Sequence, residues 1–366
     1  MSLTRPGAPR RPSLPSAVAA ATLALLALWA GPEAYAQDAA ASAPAAAEPL
    51  ELDLEHPSRL QGLKKVAIAG YAVYVITEDS GGITSGTAFH GSMASVHGTV
   101  KVVGLEPARL QALADQSLER TVQALKARGI EVMPQAELEA LPGWAALKAA
   151  ADPAPLALDA AGGKGTVFSA RGLPLIHLDE AGWLSRMVGG LFGAKVEDPY
   201  VALGDKMSVG FRMVQLAPAM QALGQQAGVP LVWGRVVLSA AQVKTRGGAW
   251  ALGAQSEVRN ALVLPAWTNR LLVRHPNGDS GRASLKRALA SAQAPGELVD
   301  VTSTATQAAN VLTTAFTVAA AFYGKGRAVS ARSQELELRS SPEAFEAAAL
   351  PELARTAQAL AGGLAP

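Results

Sequence analysis

The chain has 366 residues, 17% of them charged, with a formal net charge of +2 and no cysteine. Disulfide scaffolds, thiolate metal sites, cysteine nucleophiles and a lipid-modified N-terminal cysteine are therefore excluded. The charge balance gives no basic field for nucleic acid or anionic lipid, and no basic stretch is interleaved with aromatics.

The first residues read as a cleavable export signal. Arg5, Arg10 and Arg11 form a positive n-region, and Ala17 to Ala30 is an uncharged apolar run. Ala34-Tyr35-Ala36 places small residues where a signal peptidase reads, so cleavage is expected between Ala36 and Gln37. The run is shorter than the roughly 20 apolar residues of a spanning helix. Arg10-Arg11 also partly matches a twin-arginine signal, with Ser13 where a large apolar residue is usual, so the two export routes stay open. Removing three Arg and one Glu from 32 basic and 30 acidic residues leaves 29 of each, a near-neutral chain. Its Ala-rich composition, with Arg exceeding Lys, points to a bacterial protein and hence to the periplasm.

Residues 37–59, rich in Ala, Pro and Glu, read as a flexible linker, and 60–366 as the globular region. Lys65 to Thr77 predicts a strand covered on both sides, with Val66, Ile68 and Tyr74 on one face and Val73 and Val75 on the other. Asp79 to Gly91 reads as a Gly/Ser/Thr-rich loop, followed by a strand from Met93 to Val103. Pro107 to Arg128 predicts a helix with a stripe of Leu110, Leu113, Ala114, Leu118, Val122 and Leu125, closed by Gly129. A short strand at Ile130–Val132 and a helix over Gln135–Ala150 follow. Asp152 to Gly165 reads as a linker and a possible lobe boundary.

Short strands are predicted at Thr166–Ala170 and Leu173–Leu178, and a helix at Ala181–Phe192. A further helix covers Phe211–Ala227, interrupted by Pro218. Pro230–Val243, Ala249–Val258 and Ala261–Arg274 read as strands, Pro265 breaking the last. Gln307–Tyr323 predicts a buried helix, Gln334–Arg339 an edge strand, and Pro342–Ala361 a helix capped by Ser341. Interleaved strands and helices imply an α/β or α+β layered sandwich, a mixed β-sheet covered by helices.

Chemistry is sparse in the motifs. The five histidines include no HExxH, and no G-x-S-x-G elbow occurs. Gly162-Gly163-Lys164-Gly165-Thr166 lacks the Gly-Lys-Ser/Thr triplet of a phosphate loop. Gly278-Asp279-Ser280-Gly281 reads as a turn. The carboxylate pairs Glu78-Asp79, Asp179-Glu180 and Glu197-Asp198 read as element-end residues, and Arg282, Lys286 and Arg287 as a solvated basic helix face. The long Gly-rich loop is the expected contact surface, with Glu78, Asp79, His90 and His97 as its candidate binding residues. No metal or cofactor is implied.

Two stretches carry a resemblance. The strand Val66–Ile76 leads, after a hairpin, to a helix ending Lys126-Ala-Arg-Gly129-Ile-Glu-Val132. Later comes Leu223-Gly-Gln-Gln-Ala-Gly228-Val-Pro-Leu-Val-Trp-Gly234-Arg-Val. Over Leu60 to Ala240 the chain resembles the α/β layer of the curli-secretion lipoprotein and related envelope proteins. Its opening strand resembles that of a family of exported bacterial α/β proteins. The sequence departs from the curli-secretion pattern in lacking a lipobox cysteine and in inserting the Gly-rich hairpin, and no site residue transfers. The function expected is a non-enzymatic periplasmic accessory or binding protein, its partner an envelope protein or small ligand, with no membrane span in the mature chain. The alternatives are a subunit of an outer-membrane assembly, with hairpins at Ala249–Val258 and Ala261–Arg274, and a hydrolase with a dispersed Ser/His/Asp triad.

Overall fold

The computed structural model describes residues 49–85, 92–160, 163–176, 207–240, 242–246, 255–266, 268–310 and 328–366. The expected cleavage point at Ala36–Gln37, His90, the acidic pairs Asp179-Glu180 and Glu197-Asp198, the helix Ala181–Phe192 and most of Gln307–Tyr323 lie outside these residues. Residues 304–310, at the start of the last of these, are helical.

In chain order the elements are β1 (Leu52–Glu55), a 3-10 turn (Pro57–Leu60), β2 (Lys65–Ser85), β3 (Ser92–Val103), α1 (Pro107–Ala127), β4 (Glu131–Val132), α2 (Gln135–Glu139) and α3 (Pro142–Ala149). Then come β5 (Leu156–Ala160), β6 (Gly163–Ser169), α4 (Met207–Ala227), β7 (Leu231–Ser239), β8 (Gln242–Arg246), β9 (Gln255–Arg259), β10 (Val263–Leu264) and β11 (Arg270–Arg274). The chain finishes with β12 (Ser280–Leu285), β13 (Leu289–Ala290), β14 (Glu297–Asp300), β15 (Ala328–Arg339) and α5 (Pro342–Gly362). Among the described residues, 13 strands share one mixed sheet whose main path runs β1-β12-β11-β7-β2-β3-β15-β14, and β8 and β9 pair separately. With helices flanking this sheet, the architecture is of the α/β or α+β kind the sequence predicts.

β2 organises the sheet. Ala67–Ile76 pairs in parallel with β7, Ala72–Asp79 pairs with β6, and Glu78–Ser85 pairs with β3. A strand has two hydrogen-bonding edges, so β7 and β3 follow one another along the same edge, opposite β6. The expected loop at Asp79 is therefore corrected: residues 79–85 continue β2. Their Gly and Ser content disfavours a strand locally, but the ladder to β3 satisfies their backbone and overrides propensity.

A bulge between Ile68 and Gly70 also corrects the expected alternation. It moves Ile68 to the face of Tyr71, Val73 and Val75 in the main core, while Ala72, Tyr74 and Ile76 join a smaller cluster with Val167, Leu175 and Val237.

Several other expectations shift for local reasons. β1, within the expected tether, pairs antiparallel with β12. The expected linker at 152–165 supplies β5 and the start of β6, a hairpin joined to β2. Of Leu173–Leu178, the described residues form no strand, only a single bridge from Leu175 to Asp152. The helix Gln135–Ala150 is two helices, because Pro142 forces the preceding residue out of helical conformation; Leu141 has ψ 138°. β15 is interior rather than an edge, lying between β3 and β14 with Leu336 and Leu338 buried. Arg282 stands on a strand rather than a helix and reaches Glu55 at 2.7 Å, while Lys286 and Arg287 reach Glu51 at 3.4 and 3.3 Å.

α1 forms as its stripe dictates, and Gly129 takes the left-handed conformation after its end, at φ 80°. Its buried face includes two polar residues the stripe omitted. Ser117 and Thr121 are tied to the Tyr71 hydroxyl at 2.8 and 2.9 Å. Burial pushes the Tyr71 phenol up, so it stays neutral within this trio. α1 packs against α5, whose Ser341 hydroxyl accepts the Ala344 amide at 3.1 Å.

α5 buries an acid, Glu352, which is only 5% exposed and accepts from Arg355 at 3.1 Å. Burial raises its carboxyl above the usual range, against the pull of Arg355. The folded state then holds this proton more tightly than the unfolded chain. Stability from this group is complete below the unfolded pKa, about 4.3, and is lost as pH rises through the folded value. Glu352→Gln is expected to gain stability over the native chain from pH 4 to pH 7, read from urea midpoints. The same midpoint difference at both pH values would show that the acid carries no such shift.

Candidate functional site

The sequence-predicted contact residues do not converge. Glu78 lies opposite Lys101 and Asp79 opposite Val100 on the β2–β3 ladder, whereas His97 lies opposite Gly82. Glu78 and His97 share a face but stand four ladder steps apart, about 13 Å, and Asp79 points to the other face. Glu78 takes an ion pair from Lys164 at 3.1 Å. Asp79 is buried, and the exposed His97 imidazole meets the Thr99 hydroxyl at 3.4 Å. Among the described residues no group of three or more His, Asp or Glu is placed to hold a metal ion.

Polar groups do converge where β2, β7 and β11 lie side by side. The site begins with two register partners, Gly70↔Trp233 and Tyr71↔Gly234. Each strand contributes a glycine that makes room for the other's aromatic ring, on opposite faces of the sheet. A Cβ on Gly70 would meet Trp233 Cδ1 at 2.7 Å, and one on Gly234 would enter the Tyr71 ring. Tyr71 thus lies flat beneath α1, and Trp233 is held over β2 on the other face.

That other face carries Ala72 and Tyr74 from β2, Trp233 and Arg235 from β7, and Arg270 and Leu272 from β11. Arg235 and Arg270 are direct cross-strand partners, as are Trp233 and Leu272. With Ile176 these residues line a concavity of about 390 Å³, part of it open to solvent. The Arg235 guanidinium stacks on the Tyr74 ring with its carbon 4.5 Å from the centroid. Its Nε and Nη2 are buried without a hydrogen-bond partner, and so is the indole Nε1 of Trp233, a residue only 5% exposed. Arg270, 8% exposed, has polar contacts of its own. The arrangement presents fixed donors and positive charge on an apolar, aromatic floor.

Sequence reasoning passed over these residues although Trp233-Gly-Arg235 stood in a confidently read strand. The available clue was Arg235 itself, a charge inside a segment apolar on both faces, where a strand buried on both sides has no solvent to offer. Its partner Arg270 sat likewise in a Leu/Val strand. Comparison with known proteins finds no matching family model, no similar curated protein and no similar solved structure. No helix among the described residues is long and apolar enough to cross a membrane. Of the hairpins expected in a pore subunit, β8–β9 does form, whereas Arg270–Arg274 is an interior strand of the sheet.

Proposed function

We propose that this chain is an exported, non-catalytic binding protein of the bacterial envelope that holds a small ligand against β2, β7 and β11. One observation carries the reading: buried N–H donors of Trp233 and Arg235, without partners, face a concavity whose remaining lining is aromatic and apolar. Such a surface suits recognition, since a few placed polar groups on an apolar floor fix a ligand's orientation. None of the residues lining it carries a carboxylate, imidazole or thiol that would serve as base or nucleophile. Export is supported by the Arg5–Ala36 pattern of charge, apolar run and small residues.

The test is expression of the full chain with its own N-terminus in a Gram-negative host. The expected result is recovery in the osmotic-shock fraction, beginning at Gln37, with a small molecule retained in native mass spectra. An unprocessed cytosolic chain would overturn the export half. A detergent-requiring ring would point to an envelope assembly instead, and labelling by a fluorophosphonate would point to a hydrolase.

A further inference from the structure

The Arg235 edge that lacks partners defines a more specific ligand. A guanidinium offers parallel N–H bonds along its Nε/Nη2 side, the fork that matches the two oxygens of a carboxylate. In Arg235 this fork is the buried, unpartnered part, and stacking on Tyr74 fixes its plane. Trp233 stands two residues away on the same face of β7, about 7 Å along the strand, and its Nε1 adds a third unpaired donor. Every one of these groups donates and none accepts. A neutral ligand with donors of its own would leave them unsatisfied, at a cost of about 1–3 kcal/mol per group. Arg270 across the ladder adds a second positive charge. The rest of the lining, Leu272, Ile176 and Ala72, suits an apolar body.

Resting on the binding reading above, we propose that the pocket takes a small organic carboxylate. Its two oxygens lie on Nε–H and Nη2–H of Arg235, with Trp233 Nε1–H donating to the same group and the apolar body against Leu272 and Ile176. A fully hydrated inorganic anion gains nothing from that floor, whereas an apolar carboxylate buries surface there.

The experiment follows the indole ¹⁵N–¹H resonance of Trp233, assigned by its loss in Trp233→Phe, in the signal-free chain. Benzoate, benzamide, inorganic phosphate and a neutral aromatic alcohol are titrated in turn. Benzoate is expected to shift this resonance and to bind at least about tenfold more tightly than benzamide, the worth of a charge-assisted pair. Arg235→Lys keeps the charge and loses the fork, and is expected to weaken benzoate about tenfold or more at an unchanged urea midpoint. Equal affinity for benzoate and benzamide, or full benzoate affinity in Arg235→Lys, overturns the carboxylate assignment and leaves the small-ligand pocket standing. Phosphate binding more tightly than benzoate overturns it in favour of an inorganic or phosphorylated ligand. A Trp233 resonance that none of the four probes moves overturns the carboxylate and the binding reading together.

Discussion

Asn269→Ala is expected to cost the fold about 3 kcal/mol, because two buried backbone groups lose their only printed side-chain partner at once. Asn269 is fully buried. Its Oδ1 accepts from the Val237 amide at 2.8 Å, and its Nδ2 donates to the Pro265 carbonyl at 2.7 Å. β11 begins only at Arg270, so this side chain continues towards Val237 the pairing that ends at Arg270↔Arg235. Urea denaturation reads the loss as a lowered midpoint with unchanged slope. Asn269→Asp separates hydrogen bonding from packing. The carboxylate still accepts from Val237 but faces Pro265 with a second acceptor, so this variant is expected to be weakest at neutral pH and to recover as acid protonates it. A midpoint for Asn269→Ala within about 0.3 kcal/mol of the native chain would show that the contact carries no weight.

Gly234→Ala is expected to destabilise by a similar amount, about 3 kcal/mol, at the upper end of what an added methyl costs in a packed interior. The new Cβ enters the Tyr71 ring. That ring cannot swing aside cheaply, since Ser117 and Thr121 hold its hydroxyl from α1. Tyr71→Leu in the same chain frees the space, so the double variant is expected to be less unstable than the sum of the two changes, with a coupling above 0.5 kcal/mol. Strict additivity in that cycle would show that the clash is relieved some other way. On the opposite face, Gly70→Ala meets only the edge of the Trp233 indole, and its signature is a displaced Trp233 resonance.

Much of this architecture can be read from residue order. The stripe of α1, its glycine stop, the Ser341 cap of α5 and the Val-rich core of β2 follow from local chemistry, and the structure places them accordingly. Errors arise where a distant segment decides the outcome. Asp79 to Ser85 is a strand only because β3 pairs with it, and Leu52 to Glu55 only because β12 does. Ser117 and Thr121 read as polar helix positions until Tyr71, more than 40 residues earlier, supplies their partner. The site is hardest to read for the same reason. Trp233 and Arg235 are visible as residues, but Gly70, Tyr74 and Arg270, which aim and accompany them, come from two other strands. Glu78, Asp79 and His97 were selected as neighbours in a loop, and a straight ladder spreads them along its length.

The position of β15 bears on how the chain is made. Its twelve residues, starting at Ala328, lie in parallel with β3 from Ser92 to Val103, more than 230 positions earlier. Ribosome and export machinery deliver the chain from its N-terminus, so β3 must wait with one side unpaired until nearly the whole polypeptide has emerged. Long-separated pairings of this kind form slowly. A product stopped short of Ala328 leaves that side bare, an open template for strands of other copies. Late closure also favours threading, since a translocating chain has to stay unfolded until its final segment arrives.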